Sequence, residues 1–218
     1  MKNILLLNLS PRQKGTSVVL LEMCMGSLLK KGNNCELIHL YPNMNNLEKL
    51  RIAVEHADTL VFSGPCYINT YPADTIALLE DLATHKEVLH GQSMYGMIQG
   101  GMPYVHTHES GLSLLEIFCK KNNLTYKGGF VMGLGAMLNG QPITKLPNSK
   151  KVIKQLQIFF DHIDRSEEST KQIYQTAQFK VPSLIYRLMA GMMNRKIDRD
   201  LKNHGIDVKQ KSPYLMFE

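Results

Sequence analysis

The sequence predicts an α/β fold: a doubly wound, five-stranded parallel sheet with strand order 2-1-3-4-5 and a C-terminal helical extension. Three observations predict it. Five short apolar runs of strand length alternate with five segments of helical periodicity. The first of those runs begins as an unbroken apolar stretch, as a strand buried on both faces does. Three loops, 10–17, 65–71 and 99–106, each follow a strand, and right-handed crossovers bring them to one edge of the sheet.

The first run begins at Ile4 and breaks at Ser10-Pro11 into a short loop holding Arg12, Lys14 and Gly15. Thr16 and Ser17 are favourable helix caps. Residues 18–31 then read as a helix, with Val18, Leu21, Met25, Leu28 and Leu29 at helical spacing and Gly32 as the stop. Residues 36–40 are the second strand, ended by Tyr41-Pro42; 43–46 read as loop and 47–56 as a helix. The third strand, 58–64, runs into Pro65-Cys66-Tyr67-Ile68-Asn69, with a helix over 73–83. The fourth, 93–98, closes on Gln99-Gly100-Gly101, with a helix over 109–122. Residues 125–134 are the fifth strand and 150–163 the fifth helix.

This organisation gives a sheet domain over 1–164 and an extension over 165–218. Within the extension, 167–175 is polar and 181–203 reads as a long helix. Val181, Leu184, Ile185, Leu188, Met189, Met192 and Met193 form a stripe, with Arg187, Arg195, Lys196, Arg199 and Lys202 mostly elsewhere. Such a stripe is expected to pack on its own body or across a homodimer; contact with a membrane surface is the alternative.

Composition narrows the function. The chain has 218 residues, 44% hydrophobic and 20% charged, ordinary values for a globular protein. Met1-Lys2-Asn3 leads directly into the first strand, which predicts no secretory signal and a cytoplasmic location. Cys24, Cys35, Cys66 and Cys119 are scattered without a C-x-x-C pair, so a zinc site or cysteine-held cluster within one segment is not expected. The net charge of +6 falls largely after residue 145, and no aromatic-interleaved basic run points to nucleic acid.

Strand, polar loop and helix N-terminus make an anion site, because free N–H groups and the positive end of the helix dipole face one point. Ser10, Arg12, Thr16 and Ser17 add donors. The loop is neither a P-loop nor a dinucleotide fingerprint, since the required glycines and Gly-Lys-Ser/Thr are absent; alone it is equally an ordinary turn. Pro65 stiffens the second loop, Tyr67 offers an aromatic face, and Cys66 reads as a passive lining thiol rather than a nucleophile. Gly100-Gly101 permit close approach of a flat ligand to the backbone. His106 and His108 read as polar loop or helix cap rather than metal ligands. No Ser/His/Asp arrangement is visible.

Ser10-Pro11-Arg12, Gly15 and Ser17, with Gly64-Pro65, Tyr67 and Gly100-Gly101, resemble the NAD(P)H-dependent FMN reductase and flavodoxin-family oxidoreductase group over residues 1–164. Leu9 stands where that family has glycine. The resemblance implies a flavodoxin-like fold and an FMN. Its phosphate would lie against Ser10, Arg12, Gly15, Thr16 and Ser17. Its ring would lie between Pro65, Cys66, Tyr67, Ile68 and Asn69 on one side and Gln99, Gly100 and Gly101 on the other. NADPH or NADH is then the reductant and a small-molecule electron acceptor the second substrate. An electron-transfer module without nicotinamide activity, or a cofactor-free scaffold of the same fold, stays open.

Overall fold

The computed structural model describes residues 1–178 and 183–206. The apolar runs become β1 (Asn3–Asn8), β2 (Asn34–His39), β3 (Thr59–Pro65), β4 (Ser93–Gln99) and β5 (Thr125–Met132). All neighbouring pairs are parallel, in the order β2-β1-β3-β4-β5. β1 is therefore an interior strand, with Leu6 flanked by Leu37 and Val61. Between the strands lie α1 (Thr16–Leu29), α2 (Glu48–Glu55), α3 (Ala73–Thr84) and α4 (His106–Lys121), and after β5 come α5 (Ser149–Arg165) and α6 (Lys171–Ala177).

Successive side chains of a strand point to opposite faces, and β4 shows what each face meets. A Cβ on Gly96 would lie 2.7 Å from Leu112 and 2.8 Å from Leu115, both on α4. Its neighbour Tyr95 instead meets Phe159 of α5 edge-on, with ring centroids 5.9 Å apart. Helices thus cover both faces, and Leu6, Leu7, Leu60, Val61, Met97 and Ile98 are fully buried between them. Leu9 is fully buried too. It packs opposite Gly64, where an added Cβ would come within 3.0 Å of the leucine Cβ. A large side chain on one strand end is matched by none on its neighbour.

The structure revises several boundaries. Thr16 and Ser17 are not caps: Gly15 is the N-cap, in extended backbone (φ −105°), and no side chain caps the helix. Both hydroxyl residues lie within the first turn and turn inward, because loops packed against that turn offer them partners. α4 starts at His106, which puts His106 and His108 in its first turn. α6 arises where a polar stretch is expected. Ile173, Tyr174 and Ala177 are buried on one side of it, and the Tyr174 hydroxyl donates to Glu109 Oε1 at 2.6 Å.

The chain divides into two compact units after residue 179. The expected boundary at 164/165 falls inside the first unit, since α6 packs on α5 and β5. The second unit contains α7 (Ser183–Asn203); residues 181 and 182 of the expected helix lie outside the described residues. At 3.6 residues per turn, Arg195 and Lys202 follow Leu188 at seven-residue spacing. The basic residues therefore continue the apolar side instead of flanking it. The helix is apolar in its first half and charged in its second. Among the described residues, no helix is long and apolar enough to cross a membrane.

Candidate functional site

The site grows from the end of β1. Asn8 is fully buried there and braces the loop that follows. Its Oδ1 accepts the Ser10 N–H at 3.1 Å, and its Nδ2 donates to the Ser10 carbonyl at 3.2 Å and lies 2.9 Å from His39 Nδ1. Ser10 Oγ in turn accepts the Arg12 N–H at 3.1 Å. The chain then enters α1 without a capping side chain, and the N–H groups of Thr16 and Ser17 have no acceptor among the described residues. No acidic residue lies in that first turn. Open N–H groups, the helix dipole and a guanidinium converge on one polar concavity, an arrangement that favours an anion.

The loop after β3 is held by the end of β4: the Cys66 N–H donates to the Gln99 carbonyl at 2.6 Å. Tyr67 and Thr70 exchange backbone hydrogen bonds around Ile68 (φ +49°) and Asn69 (φ +68°), a tight two-residue turn with both central residues left-handed. The turn tip is pinned to α4, where Ser110 Oγ donates to the Asn69 carbonyl. Burial pushes the Cys66 thiol up, and its Sγ donates to the Thr107 carbonyl at 3.4 Å. A neutral, tethered thiol of this kind lines a wall; it is not an activated nucleophile.

The loop after β4 passes so close to α4 that Gly100 has no room for a side chain. An added Cβ would lie 2.3 Å from His108 Nε2 and 3.1 Å from Cys66 Cβ. His108 is buried, and its Nδ1 lies 3.0 Å from the Tyr104 carbonyl. Desolvation holds its pKa below the usual histidine value, with His106 adding to that shift and the Tyr104 carbonyl opposing it. Gly101 is roomier, with Ala136 Cβ 4.0 Å from where its own Cβ would stand. Gln99 donates through Nε2 to Ser17 Oγ at 3.5 Å, while its Oε1 is buried with no hydrogen-bond partner among the described residues.

A fourth wall was not read from the sequence. The segment after β5 folds back over the cleft as a short 3-10 turn, Gly135–Leu138. It ties three parts together. Thr16 Oγ1 donates to the Gly135 carbonyl at 2.9 Å, the Ala136 N–H to Gly100 O at 3.2 Å, and Arg12 Nη2 to Asn139 Oδ1. The Asn139-Gly140 pair is a turn signal, but nothing local in it shows that the turn reaches back to residue 12.

These walls enclose a cavity of about 180 Å³ at the carboxyl ends of β1, β3 and β4, where the strand order switches direction. Of the residues expected at the site, the first loop contributes Ser10, Arg12, Gly15 and Thr16. The second contributes Pro65, Cys66 and Tyr67, and the third Gln99, Gly100 and Gly101; Ala136 and Asn139 complete the lining. Ser17, Ile68 and Asn69 do not line it. Ser17 is fully buried beside Gln99, and Ile68 sits 98% exposed at the turn tip. Among the described residues, no group of three His, Cys, Asp or Glu side chains comes together to hold a metal ion.

No family model matches the sequence, and no curated protein matches it. Solved structures do resemble the fold. An NADH:FMN oxidoreductase in its apo form superposes with a TM-score of 0.62 at 20% identity, covering 84% of this chain and 99% of its own. The fold is flavodoxin-like. An azoreductase from Bacillus anthracis gives 0.54 at 13% identity, over 76% of this chain and all of its own length. A Streptococcus pneumoniae flavodoxin gives 0.54 at 12%, over 75% and 99%. At such identities the likeness carries the architecture and leaves function to the site.

Proposed function

We propose that the chain is an FMN-dependent oxidoreductase that takes hydride from NADH or NADPH and passes electrons to a small-molecule acceptor. The observation that carries the reading is the convergence, at the switch point of a flavodoxin-like sheet, of an uncapped helix N-terminus with the loops after β3 and β4 in one cleft. The solved structures of similar fold, which include an NADH:FMN oxidoreductase and an azoreductase, support it.

The residues present fit a flavin phosphate. Ser10 and Arg12 place further donors beside the open N–H groups of α1, with no competing carboxylate in its first turn. The orphaned Gln99 Oε1 supplies a buried acceptor for a ring N–H, and leaving it unmatched costs about 1–3 kcal/mol. The enclosed volume of about 180 Å³ is below the roughly 300–1,000 Å³ of pockets that surround a whole small ligand. A nucleotide held here keeps much of its ring outside the enclosed space, beside Tyr67, which lines the cavity and is 50% exposed.

Bound FMN supplies the redox chemistry, accepting hydride and releasing electrons to the second substrate. The chain's own part is to bind and orient. Arg12 and the α1 amides fix the phosphate end, and Gly100-Gly101 let the backbone approach a flat ring. Cys66, neutral and tethered, serves as an inert wall. No side-chain acid or base is assigned, and hydride transfer requires none.

Purified protein incubated with FMN and desalted is expected to keep a flavin absorbance spectrum that NADH or NADPH bleaches anaerobically. A protein that binds no added FMN, or binds it without bleaching, overturns the reading.

A further inference from the structure

We propose that Asn139 is a positioning residue for Arg12: its carboxamide orders the guanidinium before ligand arrives, and so favours a phosphorylated flavin over an unphosphorylated one. The inference rests on the flavin reading above and deepens it.

Arg12 is an exposed residue on a loop, with a long side chain that a ligand would otherwise have to immobilise itself. Asn139 removes that need. Its Oδ1 accepts a hydrogen bond from Arg12 Nη2, and both residues line the cavity. A guanidinium has five N–H donors in a rigid plane, so one anchored donor leaves four for an anion.

The backbone around Asn139 is built to hold it there. Asn139 itself adopts left-handed backbone (φ +49°, ψ 38°) at the end of the 3-10 turn, a conformation asparagine tolerates better than most residues. Gly140 follows at φ +82°, and a Cβ there would lie 2.2 Å from the Lys14 carbonyl oxygen. The segment is thus pressed against the first loop at Gly140 and hydrogen-bonded to it through Thr16 and Gly135. The amide also matters electrically. A carboxylate of the same shape would hold Arg12 equally well but cancel the charge it offers to a phosphate. Asparagine orients without neutralising.

The test is a fluorescence titration of the full-length protein with FMN and with riboflavin, which share the ring and differ by the phosphate. Asn139→Ala is expected to weaken FMN about five-fold, the worth of one ordered hydrogen bond. Asn139→Asp, nearly isosteric and able to keep the contact, is expected to weaken it about ten-fold or more. Riboflavin affinity stays level in both. Equal losses for the two flavins, or FMN affinity unchanged in Asn139→Asp, overturn the proposal. If the wild-type protein binds neither flavin, the cofactor reading fails separately. Thermal stabilisation by inorganic phosphate then decides the role of Asn139: its loss in Asn139→Asp supports the role, and its retention overturns it.

Discussion

The two ends of the cleft are built on opposite plans. At the β1 end, Ser10, Gly15, Thr16 and Ser17 are buried, and hydrogen bonds with Asn8, Gly135 and Gln99 tie the loop to three segments. At the β3 end, Tyr67 is half exposed and Ile68 almost wholly so, on a turn in left-handed backbone. One end is a polar recess braced by several segments. The other is an apolar rim that meets solvent. Under the proposed flavin reading, the difference teaches where selectivity would reside: a phosphate would be gripped by rigid geometry, whereas a partner at the rim would meet surface free to accept several flat molecules.

Reversing the charge of the socket should have the largest effect. Arg12→Glu is expected to weaken FMN about 100-fold in a fluorescence titration, because a charge-assisted contact is replaced by repulsion, while riboflavin binding barely changes. Comparable losses for both flavins would show that the socket and rim are not separable.

Next comes the floor between them. Gly100→Ala drives a methyl group into the anchored His108 ring and should cost about 1–3 kcal/mol in chemical denaturation. Gly101→Ala, with open space, should cost much less. Similar costs would mean that the third loop gives way instead of holding.

At the rim the sign reverses. Ile68 is β-branched, sits at φ +49° and buries nothing. Ile68→Asn, which suits that backbone, should therefore stabilise the protein by about 1 kcal/mol, or roughly 2–4 °C in Tm for a chain of this size. It should also raise KM for an apolar quinone. A lower Tm would remove the strain argument.

The smallest effect is one of pH. His108 is held neutral below its ordinary pKa by burial. The unfolded chain therefore takes up its proton at higher pH than the folded one, and the associated stability, complete above about pH 6.5, is lost on acidification below it. Melting curves between pH 7 and 5 should slope less steeply in His108→Gln than in wild type; parallel slopes would assign the acid sensitivity elsewhere.

The sheet was legible because its signals are local: Leu5 to Leu7 and Leu60 to Phe62 announce strands wherever they fall. The first three walls were legible for the same reason, since a loop that follows a strand is placed by the strand order. Asn139 was not, because its role depends on a turn after β5 bending back across the sheet edge to residue 12. Ser17 was placed in the cleft because hydroxyl residues at a helix start usually cap it; here the cap is Gly15, and Ser17 faces Gln99. α6 was missed because its apolar content is only Ile173, Tyr174 and Ala177 among polar neighbours. Helix propensity cannot reveal a surface supplied by β5.

The interior place of β1 has a consequence for biosynthesis. Its loop is made within the first 17 residues, yet β1 is flanked only after β2 and β3 have emerged. The last wall, at Ala136 and Asn139, comes some 120 residues after that loop. Chains grow from the N-terminus at about 5–20 residues per second, so the anion socket waits several seconds on the ribosome, unfinished, for its closing segment. On the proposed function, cofactor capture would be a late event in the life of the nascent chain.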